Sequence, residues 1–106
     1  MVKIGNNLII NADDMSEKLN CPLDKYIVLT CGLKLNSTIT ASSISDEGFT
    51  FCLQRSIYTL GNKELSPQEF NVRWGKKPDE LFPMLASVTT MLLCDINPSI
   101  FDVIEF

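Results

Sequence analysis

Histidine is missing from all 106 residues. Its absence removes the commonest general base, the commonest metal ligand and the usual partner of a nucleophilic serine or cysteine. Proline and glycine are scarce, at five each, which excludes collagen-like and low-complexity chains. No apolar run reaches the ~20 residues that a membrane helix needs. The longest helix-like apolar stretch, around residues 81–94, carries Ser87, Thr89 and Thr90, and the run Leu8-Ile9-Ile10 is too short for a secretory signal. The expected setting is therefore cytoplasmic, without membrane contact. Basic residues are outnumbered by acidic ones, nine to thirteen, for a net charge of −4. A general nucleic-acid binder needs the opposite balance, because it must neutralise phosphates. The acidic excess is also too mild to imitate a DNA backbone, and is of the size that keeps a protein soluble. There is no CxxC pair, Walker loop, GxGxxG or EF-hand pattern, so neither a cofactor nor a metal is expected.

What is present fits one ordinary globular domain spanning residues 1–106. The chain is near the modal domain length, and 45% of it is hydrophobic. The four cysteines, Cys21, Cys31, Cys52 and Cys94, read as reduced core thiols, because nothing marks the chain for an oxidising compartment. From Tyr26 to Leu35 the residues alternate, with Ile27, Leu29, Cys31, Leu33 and Leu35 on one side, which predicts a strand. Asn36-Ser37 is turn chemistry. A second strand follows over Thr38–Ile44 and, after the turn Ser45–Gly48, a third over Phe49–Leu60, with Phe49, Phe51, Leu53 and Ile57 on one face. Val2–Ile10 adds a strand or a short hairpin around Gly5-Asn6-Asn7, and Asp13–Leu19 a helical turn ending before Pro22.

The pattern then changes. Ser66-Pro67-Gln68-Glu69 has the form of a capping box, Leu65 and Phe70 stand at staple positions, and Gly75 is placed as a helix stop. A helix over about 66–75 is predicted. A second, over about 83–94, follows from Leu81, Met84/Leu85, Val88 and Met91/Leu92 at helical spacing, with Pro83 near its start and Ser87, Thr89 and Thr90 on its outer side. The tail 99–106 reads equally as short helix or added strand. Together these give an α+β class: a two-layer sandwich with an antiparallel β-meander over about 26–60, which an N-terminal strand can join, covered by the helices at about 66–75 and 83–94.

Candidate chemistry is sparse. Asp13-Asp14 with Glu17, and Asp79-Glu80, are carboxylate clusters suited to the first turn of a helix. One segment stands against the acidic average: Arg73, Trp74, Lys76 and Lys77 fall within five residues. A tryptophan flanked by cations is a suitable anchor for a partner protein, since Trp and Arg are enriched at binding hot spots. The bland reading is a core Trp beside solvated lysines. These features lead to a non-catalytic module that occupies a macromolecular partner, a protein rather than nucleic acid, in the manner of a small phage-type accessory or inhibitor protein. The alternative is a small-molecule or nucleotide-binding domain with a groove between sheet and helices. A deep pocket lined by Arg55 or Arg73 would favour the alternative, and an exposed apolar patch would favour the binder.

Overall fold

The computed structural model describes residues 1–13, 25–102 and 105–106. The helical turn expected at Asp13–Leu19 and the thiol of Cys21 fall outside them, apart from Asp13 itself. The described residues are mostly β, with 37% strand and 18% helix. The strands are β1 (Val2–Ile4), β2 (Asn7–Asn11), β3 (Ile27–Cys31), β4 (Ile39–Ser42), β5 (Gly48–Leu53), β6 (Ile57–Tyr58), β7 (Glu64–Leu65) and β8 (Gln68–Arg73). One α-helix, α1 (Phe82–Leu93), and a 3₁₀ helix (Pro98–Asp102) complete the described elements.

Six strands form one sheet in the order β1-β2-β3-β4-β5-β8, and β6 pairs with β7 apart from it. The expected antiparallel meander is replaced by a mixed sheet. β1 and β2 form a tight hairpin across Gly5-Asn6, but β2 then runs parallel to β3, Leu8 opposite Val28 and Ile9 opposite Leu29. β3 also runs parallel to β4, touching it at Cys31–Ile39 alone. A parallel return normally needs a crossover of a dozen or more residues. Residues 32–38 are too few for one, so β4 continues past the end of β3 instead of lying along it. The β4–β5 and β5–β8 ladders are antiparallel.

The second correction concerns 66–75. This segment is no helix: its residues 68–73 are strand β8, paired with β5 from Gly48–Arg73 to Leu53–Gln68. Phe70, Val72 and Trp74 alternate with exposed Glu69, Asn71 and Arg73, a period of two that outweighs the local capping signal. Phe70 stacks on Phe51 across the ladder at 4.9 Å between centroids, and Phe101 of the 3₁₀ helix stacks on Phe70 at 5.1 Å. That pairing supplies what a staple would have given a helix. The tail divides: Pro98–Asp102 is 3₁₀, and Glu105 bridges in parallel to Arg73.

The helix expected over 83–94 is α1, with Leu81 at its N-cap and Pro83 in its first turn, where a missing N–H costs nothing. It lays Leu85, Val88, Leu92 and Leu93 on the sheet face that carries Ile9, Leu29, Cys31, Ile39, Phe51 and Leu53. Its hydroxyls do not all face outward. Thr89 is fully buried, its Oγ1 donating to the Leu85 carbonyl at 2.7 Å and lying 3.9 Å from the Cys31 sulfur. Back-bonding to the preceding turn satisfies the buried hydroxyl. On the opposite sheet face Leu8 and Ile10 are buried at one side, whereas the β4–β5–β8 side carries Thr40, Ser42, Thr50, Asn71 and Arg73. Among the described residues, no helix is long and apolar enough to cross a membrane.

Candidate partner-binding site

The four residues singled out by sequence separate in space. Trp74 is 3% exposed. Its ring lies 5.1 Å from that of Phe49, its Nε1–H donates to the Ser45 carbonyl at 3.1 Å, and its backbone N–H to Glu47 O at 3.1 Å. The close approach needs Gly48, where a Cβ would sit 2.1 Å from the Val72 carbonyl oxygen. Arg73 is exposed at the end of β8, and its carbonyl accepts from the Phe106 N–H at 2.9 Å. Lys76 and Lys77 are exposed beyond it. The cations therefore follow the end of a strand, and the aromatic body of Trp74 belongs to the core.

A different segment displays apolar side chains. The strand expected through Leu35 stops at Cys31, and the next turn of chain leaves Leu33 56% and Leu35 97% exposed. The cause is local. Ser37 N–H donates to the Lys34 carbonyl at 3.1 Å, closing a β-turn with Leu35 at its first corner. The rest of the loop is tied down. Leu33 N–H donates to Asp13 Oδ2 at 2.8 Å, Gly32 N–H to Ile39 O at 3.1 Å, and Thr38 N–H to Thr30 Oγ1 at 2.9 Å. Gln54 Nε2 donates to Ser37 O at 2.8 Å, and Arg55 Nη2 to Asn36 O at 3.2 Å. Gly32 permits the first of these, because a Cβ there would meet the Asp13 carboxylate at 2.7 Å. The loop is held by its backbone while its leucines point away. Ser37 Oγ, in the same loop, is buried with no hydrogen-bond partner among the described residues.

Two crevices flank this end of the sheet. One, of about 350 Å³, is lined by Ala12, Thr30, Lys34, Asn36 and Arg55. The other, of about 320 Å³, lies at the start of α1 and is lined by Asn11, Asp13, Gly32, Glu80, Leu81, Phe82 and Leu85. Asp13 is thereby a loop-holding residue, and Asp79 and Glu80 precede α1, whose first turn contains no acid. Among the described residues, no group of three metal-ligating side chains occurs. Elsewhere, an apolar groove of about 600 Å³ runs between Val2 of β1 and Phe82, Pro83, Ala86 and Met91 of α1.

The thiols are unlike one another. Cys31 and Cys52 are buried, and Cys94 is exposed just past α1, contrary to the expectation of core burial for all four cysteines. Burial pushes the Cys31 thiol from 9.0 up to about 12, with the Thr89 hydroxyl acting in the other direction. Such a thiol stays protonated and inert at neutral pH.

Sequence reasoning missed Leu33, Leu35 and the residues around them because alternation was carried four residues too far. Gly32 and the Asn36-Ser37 turn were the available signs of an earlier strand end. No family model, no curated protein and no solved structure matches the chain.

Proposed function

We propose that this chain is a non-catalytic, cytoplasmic protein-binding module that works by occupying its partner, as small accessory and inhibitor proteins do, and that it engages through the β3–β4 loop. The observation that carries this reading is the exposure of Leu33 and Leu35 on a loop fixed by backbone hydrogen bonds. Exposed leucines on a mobile segment would need ordering on contact. A loop already held in shape avoids that entropic cost, and the removal of apolar surface from water then favours association. Lys34 between the two leucines, and Arg55 against Asn36, favour an acidic rim around an apolar pocket on the partner. Arg73, Lys76 and Lys77 form a second exposed cationic segment, whose role would be long-range steering.

The test uses three tagged forms as bait in lysate of the source cell: wild type, Leu33→Ser with Leu35→Ser, and Arg73→Glu with Lys76→Glu and Lys77→Glu. Circular dichroism establishes that each is folded. The leucine variant is expected to lose the partner that wild type captures, and the charge variant to retain it with a lower yield that salt reduces less than it reduces the wild-type yield. Capture of the same partner by the folded leucine variant would refute the loop as the site.

A further inference from the structure

We propose that the crevice formed by Thr30, Lys34, Asn36 and Arg55 is an oxyanion site that takes the phosphate or carboxylate group of a small ligand. The site shares Lys34 and Arg55 with the charged rim of the loop but uses neither leucine, and it does not depend on the loop's binding a protein.

Its position is the first support. β2 and β3 form the one extended parallel ladder of the sheet, running from Asn7–Ile27 to Asn11–Cys31. The crevice lies where these strands deliver Ala12 and Thr30 to the loops at their carboxyl ends. In open α/β sheets, ligands bind outside the carboxyl ends of parallel strands, and the crevice has that placement on the parallel part of this mixed sheet.

Charge is the second. The chain has thirteen acidic residues against nine basic ones, yet this crevice has two cations and no carboxylate among its described lining residues. Neither Lys34 nor Arg55 forms an ion pair among the described residues. Among the described residues, the carboxylates Asp13 and Glu80 line the other crevice. Alternation along the chain makes that separation, sending Asn11 and Asp13 to one crevice and Ala12 to the other. The charged groups among the described lining residues are thus cations alone, and the net charge of −4 disfavours long polyanions over small anions.

Geometry is the third. The bond from Arg55 Nη2 to the Asn36 carbonyl anchors the guanidinium at the crevice while leaving its other N–H groups to donate. A planar fork of donors suits a carboxylate or a phosphate. Lys34 adds a point charge, and Thr30 Oγ1 is held in place by the Thr38 N–H at 2.9 Å and the Thr38 hydroxyl at 3.3 Å. A volume of about 350 Å³ limits the ligand to a small one.

The experiment is a titration of ¹⁵N-labelled protein with inorganic phosphate and, separately, with acetate, with sodium chloride at matched ionic strength as the control. Saturable shifts are expected at the Arg55 side-chain Nε–H and at the Thr30, Lys34 and Asn36 amides. Arg55→Gln and Lys34→Gln should each weaken the response by about tenfold, whereas Lys76→Gln and the Leu33→Ser, Leu35→Ser double variant should leave it unchanged. Tighter binding of phosphate supports a phosphoryl ligand, and equal or tighter binding of acetate a carboxylate. Shifts that never saturate, that sodium chloride reproduces, or that centre on residues 73–77 would overturn the proposal. Retention of saturable binding by the leucine variant, together with loss of its protein partner, would separate this site from the protein-binding surface.

Discussion

Residues 32–38 and residues 73–77 make the same offer in the sequence, large apolar side chains next to cations, and the fold treats them oppositely. Trp74 has the stronger hot-spot chemistry, but its ring is spent on Phe49 and its indole N–H on Ser45. Leu33 and Leu35 have the pattern of strand interior, but they stand in solvent. The difference is where each strand ends. Trp74 continues the inward alternation of Phe70 and Val72 beyond β8 and keeps its backbone bond to Glu47. Leu33 begins after β3 has stopped, and a turn at Lys34–Ser37 rotates Leu35 outward. Binding energy comes from apolar surface that is available to be buried, so residue type matters only after exposure is known.

The largest expected effect tests that contrast directly. Trp74→Ala should destabilise the fold by ~3–5 kcal/mol, through loss of a buried aromatic and the cavity left behind. Leu35→Ala should change stability by less than ~0.5 kcal/mol, since its side chain touches little. Urea midpoints at constant slope measure both. A Trp74→Ala midpoint close to wild type would place the ring outside the core, and a large loss in Leu35→Ala would mean that the loop is packed. Either result breaks the comparison.

Cys31 marks the border between the two regimes, fully buried two residues before the exposed Leu33. Its thiol is raised from 9.0 to about 12. Above the lower value the unfolded chain ionises this thiol while the folded one keeps it neutral, so the unfolded state binds fewer protons and stability falls as pH rises. The contribution is fully present below pH 9.0 and is lost towards about 12. Between about pH 8 and about pH 10 the loss should be ~1.4 kcal/mol from this group. The informative quantity is the difference from Cys31→Ala, whose stability should fall less steeply over that interval. Parallel slopes in the two proteins would show that the end of β3 is wetter than its burial indicates.

Single elements, though not the architecture, were legible where one signal acted alone. Helical spacing with Pro83 at the start located α1, and the inward face of Phe49, Phe51, Leu53 and Ile57 is buried as its alternation requires. Legibility failed where local and long-range signals conflicted. In 66–75 a capping box and a period of two coexist, and only the partner strand β5, which places Phe51 under Phe70, decides between them. The parallel β2–β3 pairing joins residues about twenty apart in the chain, beyond any short window of sequence. The candidate sites were less legible still. Arg55 stood out in the sequence as a possible pocket cation, but its neighbours Thr30 and Asn36 lie about twenty residues away, and the three become a crevice only because β3 ends beside the Asn36 turn and Arg55 follows β5.

The smallest expected effect sharpens the reading of the 73–77 segment, because it asks whether the chain leading into it is strand or helix. Were 66–75 a helix, Ser66→Ala would remove an N-cap acceptor and cost ~1 kcal/mol. In the strand, Ser66 is exposed between β7 and β8, where its carbonyl accepts from Gln68 Nε2 at 3.1 Å, a bond that alanine preserves. Pro67 stands just before the paired residues, where a missing N–H breaks no ladder bond. The substitution should therefore fall within ~0.5 kcal/mol of wild type. Leu65→Ala does not discriminate, since Leu65 packs against the core from β7 and would be missed in either arrangement. The useful measurement is the pair of urea midpoints: Leu65→Ala lowered, Ser66→Ala unmoved. A Ser66→Ala loss near 1 kcal/mol would restore the helix, move Arg73, Lys76 and Lys77 to a helix end, and withdraw the burial of Trp74 on which the contrast with Leu35 depends.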